Sequence, residues 1–187
     1  TNWWQQHLGP DWQMVHQDFL HRLGNLTLTM ENPAILNADF DTKKDLLPVS
    51  AWLEIDRYAL HLTSQLQTQV LADFSRYEFH LAVQKLVAFC SEDLGSFYLD
   101  ILKDRLYTAG ENSPARRAAQ SALHHITHTF MRLIAPILSF TADEIWHTLN
   151  LGENQSVFEE IWYDIPTHGL EAAQILAWEA VISARAL

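Results

Sequence analysis

Residues 76–149 read RYEFHLAVQKLVAFCSEDLGSFYLDILKDRLYTAGENSPARRAAQSALHHITHTFMRLIAPILSFTADEIWHTL. Their apolar positions recur every three to four residues, the spacing of helices that bury one side. Phe79, Val83, Leu86, Cys90, Leu94, Phe97 and Ile101 form one stripe, predicting a helix from about Tyr77 to Tyr107. Gly95 lies inside it at a cost of about 1 kcal/mol relative to alanine, so a local bend or a close contact is expected there. Ser113 and Pro114 open the next helix, a serine being able to cap and a proline fitting the first helical position. Leu123, Ile126, Phe130, Leu133 and Ile137 make its buried stripe, and Pro136 should kink or end it. Thr141 then reads as the cap of a short helix, TADEIWHTL, with Asp143 and Glu144 beside its positive end.

The same reading extends outward. Trp52, Ile55, Ala59, Leu62, Leu66 and Val70 define an earlier helix, entered through Pro48 and Ser50. After a loop from Gly152 to Pro166, with a possible extended stretch VFEEIWY, Leu170, Ala173, Leu176 and Ala180 are spaced as the face of a last helix. Strand signals are confined to Leu26–Leu28 and Val157–Tyr163, and there are no repeats or low-complexity tracts. An all-α helical bundle is expected over residues 47–187. Residues 1–46 read as an irregular N-terminal arm with at most one helix, near Asp11–Leu23, because Gly24, Pro33 and several asparagines break the period. Trp3, Trp4, Trp12 and Phe19 make this arm aromatic enough to pack on something.

At 187 residues and 48% hydrophobic content the chain can bury a proper core. No run of about 18 uncharged apolar residues spans a membrane, and TNWWQQHLGPDWQ lacks the pattern of a secretory signal. One cysteine, Cys90, makes neither an internal disulfide nor a cysteine-rich zinc site, which suits the cytoplasm. On the apolar stripe it reads as a small core residue rather than a nucleophile. No catalytic constellation stands out. The net charge of −11 argues against RNA binding in bulk. Residues 85–132, however, hold six basic residues against five acidic ones, so any electropositive surface must lie there.

Four blocks in order carry a family likeness: YEFH at Tyr77–His80, CSEDLGSFYLDILKDRLYT at Cys90–Thr108, SPARRAAQ at Ser113–Gln120 and LIAPILSFTADEIW at Leu133–Trp146. They resemble the anticodon-binding helical domain of isoleucyl-tRNA synthetases, class Ia enzymes. Valyl and leucyl relatives share the Ala-Pro-Ile and Glu-Ile-Trp ends, but the FYLDILKDRLYT wording is nearest the isoleucine branch. PVSAWLEIDRYAL, FEEIWYDIP and LAWEAVISARAL extend the likeness over about three quarters of the chain. The resemblance implies a bundle that docks the anticodon stem of an isoleucine-accepting tRNA for catalytic and C-terminal domains of the same enzyme. ATP, and zinc in many relatives, belong to the full-length enzyme. Nothing here resembles its ATP-holding His-Ile-Gly-His and Lys-Met-Ser-Lys-Ser loops, so no catalysis is expected from this chain alone.

The N-terminal segment carries a second likeness. His21, Gly24, Asn25, Leu26, Thr27, Leu28, Asn32, Asn37, Phe40, Lys43 and Lys44 resemble part of the C-terminal nuclease-like domain of GmrSD-type restriction enzymes. The Glu-His-Ile motif that would hold its metal is absent, and His21 alone supplies neither a metal cage nor an oriented base. A foreign segment joined to a synthetase fragment and a diverged synthetase segment both stay open. So do two other functions, a helical protein-interaction module and a nuclease remnant.

Arg116, Gln120, His124, His128 and Arg132 recur every four residues along one helix face. Given the resemblance they are candidates for a ridge on the tRNA backbone; spacing alone favours an ordinary solvated face. Arg117 adjoins them. His124 and His128 have the spacing of a metal pair, but no third ligand is implied and a zinc site is not expected. Lys103 and Arg105 join the tRNA candidates, although with Asp100 and Asp104 they also suit helix-end ion pairing.

Overall fold

The computed structural model describes residues 40–149, 151 and 156–185. Its elements are α1 (Thr42–Asp45), a 3-10 turn (Val49–Ala51), α2 (Glu54–Ser75), α3 (Phe79–Ala88), a π-helical stretch (Phe89–Leu99), α4 (Asp100–Thr108), α5 (Pro114–Ile134), α6 (Ser139–Leu149), a second 3-10 turn (Val157–Glu159) and α7 (Ala172–Arg185). Among the described residues there is no strand, so the architecture is all-α, as the apolar periods require. The extended VFEEIWY segment is instead a 3-10 turn followed by irregular chain. The expectation of a helix near Asp11–Leu23 lies outside the described residues. Within the described part of the arm, residues 42–45 form a helical turn capped by Asp41, whose carboxylate accepts the Lys43 amide at 3.0 Å.

Helix α5 is the axis of the bundle, packed against α1, α2, α4, α6 and the second 3-10 turn. Leu123, Ile126, Phe130 and Leu133 are fully enclosed, as the stripe predicts. Ser113 sits at the cap position and Pro114 at the first helical residue, but the serine side chain makes no capping bond. The helix stops at Ile134, two residues before Pro136, whose missing amide and ring cannot continue the ladder. The following helix begins at Ser139 rather than at a Thr141 cap. Likewise Ser50 belongs to a 3-10 turn, and α2 starts only at Glu54, where the Leu53 carbonyl receives the amides of Asp56 and Arg57.

The π-helical stretch explains a run of burial that an ordinary helix would not produce. Leu86, Cys90, Leu94, Tyr98, Leu102 and Leu106 are all buried although they lie four apart. In an α-helix each such step drifts about 40° round the axis, which would carry the run off its face; the wider turn absorbs the drift. Gly95 permits that turn, since a Cβ there would stand 2.8 Å from the Cys90 carbonyl oxygen. The expected bend is therefore a widening. Ile101, expected on the stripe, is pushed to the exposed side and Leu102 takes its place.

The chain from 160 to 185 is strapped along α2. Gln67 donates to the Tyr163 carbonyl at 2.9 Å, and Glu54 accepts from both Gln174 and the Trp178 indole at 2.9 Å. Trp178 stacks on Tyr58 at 5.6 Å between ring centroids. Helix α7 accordingly presents Ile175, Trp178 and Ile182 to the core, while Ala173, Leu176 and Ala180 face outward. Of the expected face only Leu170, which precedes the helix, packs on the core; within α7 the inward side is the other one, and apolar residues on both sides left its register ambiguous.

Candidate nucleic-acid interface

The residues on the proposed ridge do share one face of α5, yet that face is covered. Arg116, Arg117, Gln120, His128 and Arg132 are all buried, between 0 and 8% exposed, and His124 is partly buried. Polar groups in such a place are held by internal partners. Arg117 donates to Gln120 at 2.9 Å and lies 3.7 Å from Asp45. Ser121, one turn on, accepts the Leu47 amide at 2.9 Å and so ties the lead-in chain to α5.

Arg132 is the centre of this face. Its guanidinium lies 4.7 Å from the Trp146 ring and 5.1 Å from that of Tyr163, an arrangement in which two π faces stabilise one cation. Its donors reach the His128 carbonyl at 2.8 Å, His128 Nδ1 at 3.0 Å, the Glu160 carboxylate at 2.6 Å and the Ile161 carbonyl at 2.8 Å. His128 stacks on Tyr163 at 5.1 Å and meets His124 edge-on at 4.3 Å, while His125 Nδ1 pairs with the Tyr163 hydroxyl at 2.7 Å. Because the Arg132 donor fills His128 Nδ1, that ring is neutral with its proton on Nε2.

Burial is the first cause that keeps these imidazoles uncharged. His124 and His125 are lowered to about 4, with Arg132 adding to the effect on His124 and His124 to that on His125. His128 falls to about 2, burial being reinforced by His124, Arg132 and His125. These rings are therefore uncharged near pH 6 and bring no positive charge to a phosphate, against the tRNA-backbone ridge that the four-residue spacing suggested. Nor do Arg116 and Arg132 stand clear of the core, as a solvated face would require.

Arg105 is also internal. It grips Asp56 on α2 in a fork, at 3.0 and 2.5 Å, and the Tyr98 hydroxyl donates to the same carboxylate at 2.8 Å. Asp56 and Tyr98 are fully buried, and desolvation, followed by the Asp56 charge, holds the phenol well above its ordinary range. No apolar period could reveal Asp56, which sits on the buried side between Trp52 and Ala59. A second buried carboxylate, Asp73, binds Arg76 at 2.7 Å and Lys85. Of the sequence candidates Lys103 is the one well exposed, its side chain 60% open and 3.5 Å from Asp100.

What the described surface offers besides is aromatic. Tyr77 is 83% exposed, and Phe79 and Trp162 also face solvent. They join through Phe74, with ring centroids 6.3 Å apart for Tyr77–Phe79, 5.4 Å for Phe74–Phe79 and 6.3 Å for Phe74–Trp162. Helix α2 ends here in a doubly bonded C-terminal turn: the Tyr77 amide donates to the Phe74 carbonyl at 3.0 Å and the Glu78 amide to that of Asp73 at 2.9 Å. Tyr77 holds the left-handed position, φ 60°, that glycine usually fills. The YEFH block was legible as a family signature but gave no sign that its tyrosine stands open.

Comparison with known proteins gives two family matches. The family described as anticodon-binding domain of tRNA ligase matches residues 56–186. That described as GmrSD restriction endonucleases, C-terminal domain, matches residues 1–79, overlapping the first from residue 56. The isoleucine-tRNA ligase of Dechloromonas aromatica (strain RCB) is 55% identical over 149 residues, 80% of this chain and 16% of the relative. That of Azoarcus sp. (strain BH72) shows the same figures, and that of Nitrosomonas europaea is 52% identical over 153 residues, again 80% and 16%. The chain thus spans about one sixth of the length of these relatives. Among the described residues no helix is long and apolar enough to cross a membrane.

Proposed function

The chain belongs to the family of anticodon-binding domains of tRNA ligases, and from that premise we propose that it holds the anticodon arm of an isoleucine-accepting tRNA as part of an isoleucine-tRNA ligase. The observation that carries the isoleucine assignment is the 55% identity sustained over 149 residues with ligases of that name. Attachment of the amino acid, the ATP it consumes and any zinc belong, on this reading, to other parts of the enzyme.

The candidate contacts divide by how they are held. Lys103, exposed on α4, is a direct phosphate contact. Arg105, Arg116, Arg117, Gln120, His124, His128 and Arg132 are positioning residues that fix how the helices of the bundle pack; their burial and the internal bonds of Arg105, Arg117 and Arg132 support that role.

The test is equilibrium binding of the chain to an isoleucine-accepting tRNA transcript over a range of salt. Affinity is expected to fall with salt, by roughly 0.7–0.9 in the logarithmic slope for each phosphate contacted. Lys103→Ala should flatten that slope by about one such step with the fold intact. A chain that ignores tRNA at low salt would overturn the proposal.

A further inference from the structure

We propose that the corner where α2 turns into α3 is a stacking platform for an unpaired nucleobase of the bound RNA, with the Tyr77 ring as its open face. This rests on the tRNA-binding reading and adds to it the place where a base is held.

Three independent features point there. First, Tyr77 occupies the left-handed residue of the helix-ending turn, a conformation disfavoured for any side chain beyond glycine. Glycine would form the same two turn bonds without strain, so this chain carries a large side chain where the backbone alone favours none. Second, that side chain is spent on nothing inside the fold: it is 83% exposed and meets one neighbouring ring, Phe79, edge-on at 65°. An edge-on neighbour braces the ring and leaves a flat face free. Third, the ring is rigidly mounted. Phe79 contacts Phe74, Phe74 contacts Trp162, and the turn is pinned beneath by Asp73, which binds Arg76 and Lys85.

Flat aromatic faces at a protein surface suit bases released from a helix, because every base has a π face and stacking needs no matched hydrogen bonds. The local charge suits the same occupant. Arg76, 55% exposed beside Tyr77, and Lys85, 34% exposed, bring two cations against the carboxylates of Asp73 and Glu78, of which Asp73 is buried. In a chain of net charge −11 the two cations beside the turn match its two carboxylates, so the Tyr77 turn itself adds no net negative charge against a phosphate.

The experiment compares tRNA binding by the wild-type chain with Tyr77→Phe, Tyr77→Ala and Tyr77→Gly. Phenylalanine keeps the stacking face and should stay within about twofold of wild type. Alanine and glycine should each lose about tenfold or more, the range expected for one base stack, with the salt slope unchanged because no phosphate contact is removed. Glycine is the decisive variant: by relieving the left-handed residue it should raise the melting temperature while lowering affinity, opposite movements that a purely structural role cannot give. An isolated hairpin of the anticodon arm locates the base. A loss seen with the hairpin assigns it to the anticodon loop, and a loss confined to whole tRNA assigns it to another loop; either supports the platform. Wild-type affinity for tRNA in both Tyr77→Ala and Tyr77→Gly would overturn the platform and leave the corner as an apolar contact for protein, with tRNA binding itself untouched. A wild-type chain that fails to bind tRNA would instead remove the parent reading and the platform together.

Discussion

Arg132 and Tyr77 have exchanged the places their residue types usually hold. The cation is 7% exposed at the centre of the bundle, enclosed by two aromatic rings, a carboxylate and two carbonyls, while the aromatic ring stands 83% open at a corner. Each is stable for a definable reason. Arg132 has four acceptors within 3.0 Å, enough to offset the loss of water around a guanidinium that is weakly hydrated to begin with. Tyr77 is fixed by backbone bonds of the turn, which do not depend on what its side chain touches. Charge held inside makes the α5 face a structural organ; an apolar ring held outside makes the corner a surface available to a partner.

Acid tests the enclosed face most severely. His124, His125 and His128 have folded-state pKa values of about 4, 4 and 2 against an ordinary 6.5, so the unfolded chain takes up protons more readily. Their contribution is complete above pH 6.5 and lost progressively as pH falls, toward 4 for His124 and His125 and toward 2 for His128. Each pH unit costs about 1.4 kcal/mol for each ring, on the order of 5 kcal/mol in all by pH 5. Urea unfolding at pH 7 and pH 5 measures it, and equal midpoints would show the face to be open to water. Next in size, Arg132→Ala should cost about 3–5 kcal/mol by leaving Glu160 and two carbonyls without their donor. A loss below about 1 kcal/mol would class Arg132 with surface cations.

The corner responds oppositely. Tyr77→Gly should stabilise the chain by about 1 kcal/mol, a rise of roughly 2–4 °C in melting temperature. Smallest is Ile161→Asp. That side chain is 85% exposed and Arg132 uses only its carbonyl, so a change within about 0.5 kcal/mol is expected. A larger loss would mean that the Ile161 side chain helps close the α5 face.

The bundle was readable in sequence wherever a helix has one buried side and ends in residues with fixed backbone demands. α2 and α5 emerged with their main stripes, Pro114 and Pro136 marked the limits of α5, and Gly95 marked the place where the helix widens. Periodicity gives the angle between side chains on one helix, however, and says nothing of what lies beyond them. On α5 polar residues four apart looked like a free face, because the irregular chain that brings Glu160, Ile161 and Tyr163 against it has no period of its own. The Asp56–Arg105 fork joins residues 49 apart through a packing that only the folded chain defines. On α7, apolar residues on both sides, Ile175 and Trp178 inward and Leu176 and Val181 outward, hid which side was turned inward.

The widened stretch at Phe89–Leu99 sets where this molecule can change its length. From Leu86 to Leu106 the chain spends 20 residues on five returns to the same face, where an ordinary helix would spend about 18. One residue lost near Gly95 would draw the stretch toward the ordinary helix and still deliver Arg105 to Asp56 on α2 and the rest of α4 to α5. The same loss within α2 or α5 would swing every later side chain about 100° round the axis and dismantle what each face holds.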